Sequence, residues 1–299
     1  MKKVQLFSIS ESSPDGISIH TVEHSKVNSM AENIQCMDSF ILNNVTYIIS
    51  FKKDSGDTQI YEACNKQGEF LNLVKENTLA FSSTHVAILH SENNVLCLSY
   101  NEKTGYLSIL DISDNLKLNI VCTLNIGKGI STLKSFIYRW RMFFIAYNIE
   151  TGHVDKYEVL INKSTSSIST SKVWDDKWAQ GWTRFSFFQL GAENFFIKTN
   201  IKYVKVNIDH FMDDADEGSH PVLNIDAPAQ MRSLNNVSAF TDQKGFPFFA
   251  AYSTDGNLSF NRIYGNCLGW DMVSLLNSEP GRSLLLPFKN DKQNYLLVY

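Results

Sequence analysis

Residues 142 to 159 read MFFIAYNIETGHVDKYEV: an apolar segment, a short turn at Thr151 and Gly152, and a segment in which polar and apolar residues alternate. This order predicts a β-hairpin, because glycine supplies the positive φ angle that hairpin turns commonly need. The same arrangement occurs in VTYIISFKKDSGDTQIYEA (45–63), VLCLSYNEKTGYLSILDI (95–112) and PFFAAYSTDGNLSFNRI (247–263). The hairpin is therefore a unit that the chain repeats.

Two further copies of this hairpin are incomplete. Residues 194–211, NFFIKTNIKYVKVNIDHF, keep both strands but lack the turn glycine, and NYLLVY (294–299) is a first strand alone. Each copy is preceded by one apolar strand, and each complete hairpin is followed by one more polar strand, which predicts an all-β propeller built from four-stranded antiparallel blades. The last residue of the first hairpin strand recurs about every 50 residues, at Phe51, Tyr100, Tyr147, Thr199, Tyr252 and Tyr299.

The six copies predict a propeller of six blades in a single domain that spans residues 1–299. The last copy lacks its outer strands, and the segment VQLFSISESSPDGISIHTV (4–22) reads as a hairpin. We expect this hairpin to complete the last blade, so that pairing of the N- and C-terminal strands closes the ring and removes an open edge. A seventh, irregular blade is the alternative, because DGISIHTV (15–22) also resembles the second and third strands of the repeat.

The composition excludes several classes of partner. The net charge is −4 with few Lys/Arg clusters, so we expect no nucleic acid and no anionic membrane as a partner. No apolar run of about 18 residues exists, and the N-terminal MKKVQLFSIS has too few apolar residues for the hydrophobic region of a signal peptide. We therefore expect a soluble chain without membrane insertion, either cytoplasmic or exported without a classical signal peptide.

The segment WDDKWAQGW (174–182) holds three of the five tryptophans. Trp174 is expected to end the outermost strand of one blade, and Trp182 to open the innermost strand of the next. Packing between two blades is therefore the first interpretation of both rings. Trp178 lies in the polar connection beside Lys177 and Gln180, so we expect its ring to be exposed.

An exposed indole can stack on the apolar face of a sugar while charged neighbours bind the sugar hydroxyls. The sequence therefore suggests a ligand site at this blade junction, with no metal and no cofactor. Its predicted residues are Trp174, Asp175, Asp176, Trp178 and Arg184. Trp270 and Asp271, in CLGWDMV (267–273), occupy the equivalent outer position in a later repeat and form a second candidate site.

The pattern W…GWT.F..F.LG…FF, from Trp174 to Phe196, resembles the propeller repeats of bacterial lectin-like proteins, including the tectonin type and lectins associated with toxins. The resemblance extends over most of the chain as a repeat, but only the copy at 174–211 carries the full set of tryptophans. It implies glycan binding in pockets on or between blades. The first functional hypothesis is therefore a carbohydrate-binding propeller, and the second is a scaffold that binds a protein surface.

An enzyme is the third and least favoured hypothesis, and we assign no catalytic residue. The sequence has no HExxH, no GxSxG and no glycine-rich phosphate loop. The acidic segment MDDADEGSH (212–220) departs from the calcium-loop pattern and is interpreted as a solvated loop. Propeller enzymes nevertheless draw their residues from several blades and leave no linear motif. Convergence of His and Asp side chains at the mouth of the central channel would favour this hypothesis.

Overall fold

The computed structural model describes residues 3–13, 16–90, 94–162, 167–211, 218–291 and 293–299. In these ranges the chain forms six antiparallel sheets of four strands each, in a ring that we divide into blades A to F. Blade A contains β3 (Ile34–Leu42), β4 (Val45–Lys52), β5 (Asp57–Cys64) and β6 (Phe70–Thr78); blade B contains β7 (His85–His90), β8 (Val95–Asn101), β9 (Tyr106–Ile112) and β10 (Leu118–Asn125); blade C contains β11 (Thr132–Tyr138), β12 (Arg141–Tyr147), β13 (His153–Asn162) and β14 (Ser167–Lys177). Blade D contains β15 (Trp182–Leu190), β16 (Glu193–Asn200), β17 (Lys205–Phe211) and β18 (Ser219–Asp226); blade E contains β19 (Leu234–Thr241), β20 (Pro247–Ser253), β21 (Asn257–Ile263) and β22 (Trp270–Asn277); blade F contains β23 (Leu285–Asn290), β24 (Gln293–Val298), β1 (Gln5–Ser13) and β2 (Gly16–Thr21).

The first strand of each blade in these lists is the innermost, and the six inner strands contact their neighbours around a central channel. Helix is limited, in the described ranges, to two 3-10 turns at His24–Lys26 and Ala229–Met231. Neither is long or apolar enough to cross a membrane. The apolar core lies between adjacent blades, where the two faces of each sheet pack against the next sheet.

Blade F confirms the predicted closure of the ring. Its strand order is β2-β1-β24-β23, and β1 pairs antiparallel with β24 from Gln5 opposite Val298 to Ile9 opposite Asn294. The N-terminal hairpin thus supplies the two outer strands of the sixth blade. The alternative of a seventh blade is wrong, because the segment considered for it is already used here.

Four of the repeated marker residues are tyrosines that fix the start of the following blade. Each is buried at or next to the end of the second strand, and its hydroxyl bridges the connection that leads to the next inner strand. We call this arrangement a tyrosine latch. In each latch the hydroxyl donates to a carbonyl and accepts from a backbone N–H: Tyr100 with Gly127 O (2.9 Å) and Ile130 N (3.1 Å), Tyr147 with Ala179 O (2.7 Å) and Trp182 N (3.3 Å), Tyr252 with Glu279 O (2.7 Å) and Arg282 N (3.1 Å), and Tyr299 with Ala31 O (2.9 Å) and Ile34 N (3.2 Å).

Phe51 and Thr199 occupy the same position in blades A and D. Phenylalanine has no hydroxyl, and the Thr199 hydroxyl lies beside that of Thr183, at 3.4 Å, on the strand next to it. The connections from blade A to blade B and from blade D to blade E therefore have no tyrosine latch. Tyr100, Tyr147 and Tyr252 are equivalent, as predicted, but the repeat is not uniform around the ring.

The hairpin glycines meet a second requirement that the sequence pattern does not show. Gly152 has φ 78°, and a Cβ placed on it would lie 2.2 Å from the carbonyl oxygen of Trp178. This close approach brings the N–H of Trp178 to the carbonyl of Gly152, at 2.8 Å. Gly56 does not have a left-handed φ, yet its Cβ would lie 1.8 Å from the carbonyl oxygen of Leu79. For Gly56 the prediction from turn geometry is wrong, and contact with the blade connection is the physical reason for glycine.

Val204 occupies the position of these glycines in blade D, with φ 51° and with its carbonyl accepting the N–H of Ala227 at 2.8 Å. A β-branched residue in the left-handed region is strained. We expect Val204→Gly to raise the free energy of unfolding by about 1 kcal/mol, because it relieves this strain. Denaturant titration measures the change. Tyr203→Gly, at a residue without a positive φ, is the control and should lower stability; a Val204→Gly protein no more stable than the parent would contradict the expectation.

Candidate functional site

The central channel opens at the end of the ring where the six inner strands begin. We call this opening the upper mouth; it encloses a cavity of about 310 Å³ and is lined by residues from all six blades. Blades B, C and D contribute the positively charged and imidazole side chains, whereas blades E and F contribute amides and leucines. The lining side chains include Gln35 in blade A, His85 in blade B, Lys134 in blade C, Arg184 in blade D, Asn235 and Asn236 in blade E, and Leu284 and Leu285 around the start of blade F.

Arg184 reaches the mouth from an irregular part of β15. The pairing of β15 with β16 shifts register between Thr183 and Ser186, and Arg184 in this bulge has φ 52°. Its Nη1 donates to the Thr183 hydroxyl at 2.9 Å, whereas its Nε is buried without a hydrogen-bond partner. Burial lowers the pKa of the guanidinium from its usual range. The bulge therefore places a partly desolvated cation with unused donors at the mouth.

Lys134, in blade C, lines the channel, and Asp38, in blade A, lies next to its wall. Asp38 follows the lining residue Met37, and its two oxygens accept from Ser39 N at 2.8 Å and from Ile88 N at 2.9 Å. Burial raises the pKa of Asp38, and the nearby charge of Lys134 and the two backbone hydrogen bonds act in the opposite direction. A carboxyl group whose pKa is raised by burial is a candidate for proton transfer.

His85 is the imidazole at this mouth, and it is uncharged. Its Nδ1 lies 3.0 Å from the Thr84 hydroxyl, and the ring also hydrogen-bonds to the backbone of Ser131. Burial lowers the pKa of His85 to about 4, and the charge of Lys134 acts in the same direction. The ring is therefore neutral at pH 7 and fixed between blades B and C, which suits it to shape the cavity rather than to carry a proton.

The tryptophan segment lies at the junction between blades C and D. Trp182 is buried, as predicted, and Trp174 is half-buried. Trp178 is also half-buried, so the prediction that its ring is exposed is wrong. Its ring stacks on Phe185 with centroids 6.0 Å apart and on Phe196 with centroids 5.7 Å apart. The segment is mainly a wall of the core between two blades.

A buried ion pair explains why Trp178 folds inward. Lys198 Nζ lies 2.6 Å from Asp209 Oδ2, and both side chains are almost fully buried, with exposures of 3% and 4%. The ammonium group also lies 3.8 Å from the ring centroid of Trp178 and 4.7 Å from that of Trp182. The aromatic rings therefore cover a charged pair, and attraction between the cation and the rings adds to their packing.

The carboxylates predicted for the junction site do not converge with Arg184 on the indole of Trp178. Asp175 is exposed and lies 3.5 Å from Lys172, and Asp176 accepts from the backbone N–H of Lys177 at 2.7 Å. Arg184 lies instead at the upper mouth. Trp270 is half-buried and packs edge-on against Phe249, and the exposed Asp271 accepts from the Tyr264 hydroxyl at 2.7 Å. Sugar binding at these residues stays a prediction.

Asp175 belongs to a small group of potential metal ligands on the surface of blade C. Side-chain donor atoms of His153, Asp155 and Asp175 lie within 4.8 Å of one another. The ammonium of Lys172 lies 3.3 Å from Asp155 and 3.5 Å from Asp175, so a side-chain cation already neutralises this group. The absence of a metal stays a prediction, and residues 212–217 of the acidic loop lie outside the described ranges.

The sequence interpretation missed Asp38, His85 and Lys134. They lie in or near the starts of three different inner strands, about 50 residues apart, so no local motif contains them. Asp38 and Lys134 occupy equivalent positions of the repeat, because they pair with Ile49 and Ile145, each two residues before a repeat marker. His85 lies at a different position, opposite the marker Tyr100. Comparison of equivalent positions across blades therefore groups Asp38 with Lys134 but does not find His85.

The sequence matches no protein-family model and no curated protein. The structure is similar to that of a candidate 6-phosphogluconolactonase from Bacteroides fragilis, with 11% identity, 99% of this chain and 88% of that chain covered, and a TM-score of 0.60. It is also similar to the periplasmic gluconolactonase of Pseudomonas aeruginosa, with 11% identity, coverage of 93% and 84%, and a TM-score of 0.57. BBS1N, solved in complex with ARL6DN, shows 10% identity, coverage of 95% and 84%, and a TM-score of 0.54. These similarities show the fold of a six-bladed propeller.

Proposed function

We propose that the chain is a propeller hydrolase whose active site is the upper mouth and whose substrate is a lactone, the cyclic ester of a sugar acid. The observation that carries this proposal is that His85, Lys134 and Arg184, from three different blades, line one end of the channel, and that Asp38, from a fourth blade, is near enough for the charge of Lys134 to act on its carboxyl group. This is the arrangement that the sequence interpretation set as the condition for an enzyme. Among the residues that the structure describes, the carboxylates predicted for the junction do not converge with Arg184 around Trp178.

The residues at the mouth can divide the reaction between them. Asp38, as a carboxylate, accepts a proton from a water molecule whose oxygen attacks the lactone carbonyl carbon. The ammonium of Lys134 stabilises the negative charge that develops on the carbonyl oxygen. The ring C–O bond then breaks, and the proton on Asp38 passes to the departing oxygen, which gives the open-chain hydroxy acid. His85 keeps the wall of the cavity rigid and uncharged.

The choice of a lactone rests on size and on the names of two similar structures. A cavity of about 310 Å³ is of the size that holds a single small molecule. Two of the similar propellers are named for lactone hydrolysis, although an identity of 11% carries the fold alone. Sugar lactones are therefore the first substrates to test on this chain.

Replacing the proposed base provides the test. We expect Asp38→Asn to lower kcat for lactone hydrolysis by about 100-fold or more, because a general base contributes on that order. Asn keeps a carbonyl oxygen for the N–H of Ile88 but loses the acceptor for the N–H of Ser39, so denaturant titration of the variant must show that it is folded. Because burial raises the pKa of Asp38, the wild-type rate should rise with pH around a midpoint above the usual range of an aspartate, and the variant should lose this rise.

Proton release from glucono-1,5-lactone, followed with a pH indicator, measures these rates against the uncatalysed reaction. Asp111→Asn is the matched control, because burial also raises the pKa of Asp111, which lies on β9 away from the mouth. A wild-type rate equal to the uncatalysed rate across a panel of sugar lactones, or an Asp38→Asn protein as active as wild type, would overturn the proposal. A glycan array on the same protein then tests the carbohydrate-binding hypothesis.

A further inference from the structure

We infer that Arg184 is a specificity-determining residue that binds a second anionic group of the substrate, a carboxylate or a phosphate, in addition to the lactone ring. This inference rests on the proposed function, because it concerns the substrate of the same mouth. It separates sugar lactones that carry a negative charge from neutral ones. The inference therefore concerns the charge of the substrate and not the identity of its sugar.

The backbone at Arg184 is the first step in the argument. A non-glycine residue with a φ of 52° is strained, and such strain persists only where the surroundings impose it. The bulge between Thr183 and Ser186 changes the direction of the strand at this residue. The distortion places the guanidinium among the lining groups of the upper mouth rather than in the blade interface, where its aromatic neighbour Phe185 is buried.

The donors of Arg184 are the second step. A guanidinium offers five N–H donors, and the structure uses one of them on the neighbouring Thr183 hydroxyl. Nε is buried and has no partner, and within the described residues no carboxylate lies within 4.0 Å of the group. Nε is covered by the protein and is not accessible from the mouth, so an anion would bind to the two Nη groups. An unpaired, partly buried cation is costly to a fold, and a carboxylate or phosphate could accept two parallel hydrogen bonds from these groups.

Two other arginines show what a structural role looks like in this chain. Arg141 makes two hydrogen bonds of 2.7 Å to the carboxylate of Glu158. Arg282 is buried and donates to the carbonyl of Lys3 and to the carboxylate of Glu279. Both have an anionic partner within the protein. Among the described residues Arg184 has no such partner, and it is the arginine that lines the upper mouth.

The remainder of the mouth fits a substrate with one charged end. Lys134 lies in the neighbouring blade C, so two cations stand on one side of the cavity. The amides of Asn235 and Asn236 and the side chains of Leu284 and Leu285 form a neutral part of the lining. A hydroxylated ring placed against this neutral part would extend its anionic group towards Arg184.

Three lactones that differ in charge provide the test. Hydrolysis is measured with neutral glucono-1,5-lactone, with 6-phosphoglucono-1,5-lactone, which carries a phosphate, and with glucaro-1,4-lactone, which carries a carboxylate. We expect wild-type kcat/KM to be higher for at least one charged lactone by about tenfold or more, and we expect Arg184→Met to remove most of that ratio by raising KM. The charged lactone that is preferred distinguishes phosphate from carboxylate. Lys128→Met, at an exposed lysine in the connection to blade C, is the matched control and should keep the ratio.

Calorimetric titration with inorganic phosphate and with gluconate provides a readout without catalysis. If no lactone is hydrolysed but an anion binds wild type and not Arg184→Met, the proposed function fails and the anion site stands. If lactones are hydrolysed with equal kcat/KM whatever their charge, or if Arg184→Met keeps the wild-type ratio, the inference fails and the hydrolase stands. Denaturant titration of Arg184→Met confirms that the variant is folded. If neither hydrolysis nor anion binding occurs, both proposals fall.

Discussion

Deletion of residues 1–22 is expected to abolish cooperative folding of the ring. The deletion removes β1 and β2 and, with them, Leu6, Phe7 and Ile9, which are buried between blade F and its two neighbours. Each such side chain contributes about 1.5–3 kcal/mol, so three of them approach the total stability of an ordinary domain. The loss also exposes the edge of β24. Thermal unfolding followed by circular dichroism measures the effect.

A peptide that comprises residues 1–22 supplies the control for this deletion. Added in excess, it should pair with β24 and restore a cooperative transition, whereas the same peptide with Leu6→Ser and Phe7→Ser should not. Restoration by the first peptide alone shows that the missing strand pairing, not a general loss of chain length, causes the defect. A deleted chain that melts at the wild-type temperature would show that the closure contributes little.

The second large effect is expected from breaking the buried ion pair between blades C and D. Asp209→Ala leaves the ammonium of Lys198 without its carboxylate among aromatic rings, and it should cost about 3–5 kcal/mol of unfolding free energy. Desolvation already lowers the pKa of Lys198, and the attraction of Asp209 acts against this shift. Removing the carboxylate therefore removes the main group that favours the charged form.

The double variant Lys198→Met/Asp209→Leu tests whether charge is the cause. It removes both charges and keeps apolar volume in the junction, so it should recover most of the stability that Asp209→Ala loses. Denaturant titration of Lys198→Met, Asp209→Leu and the double variant gives the coupling energy. An Asp209→Ala protein that loses less than about 1 kcal/mol would indicate that water reaches the pair and that the junction is more open than its 3–4% exposure implies.

The fold could be predicted from the sequence because the propeller repeats a local pattern. Apolar strands, turn glycines and the recurring tyrosines are short-range signals, and six copies of them reinforce one another. The closure by the N-terminal hairpin followed from counting strands in the incomplete last copy. Gly56 shows the limit of the local argument, because its requirement comes from the backbone of Leu79, a long-range contact.

The candidate site could not be predicted in the same way, because its geometry arises only when the ring closes. Asp38 and Lys134 are almost 100 residues apart in sequence and lie on blades that are not adjacent. Arg184 was identified from the sequence, but as a neighbour of the tryptophans, since the bulge that directs it to the channel leaves no sequence signal. The polar neighbours of Trp178 predict an exposed ring. In the structure the ring instead packs against the ammonium group of Lys198, from the next blade.

The two positions without a tyrosine latch lie on opposite sides of the ring, between blades A and B and between blades D and E. Latches join blades B, C and D into one arc and blades E, F and A into another, so the two boundaries between these arcs, which we call seams, depend on other contacts between inner strands. A side chain on an inner strand crosses each seam: Asp38 accepts from Ile88 N at 2.9 Å, and the hydroxyl of Ser186 accepts from Ala239 N at 2.7 Å. The proposed catalytic base therefore also forms a hydrogen bond that joins blades A and B at one seam.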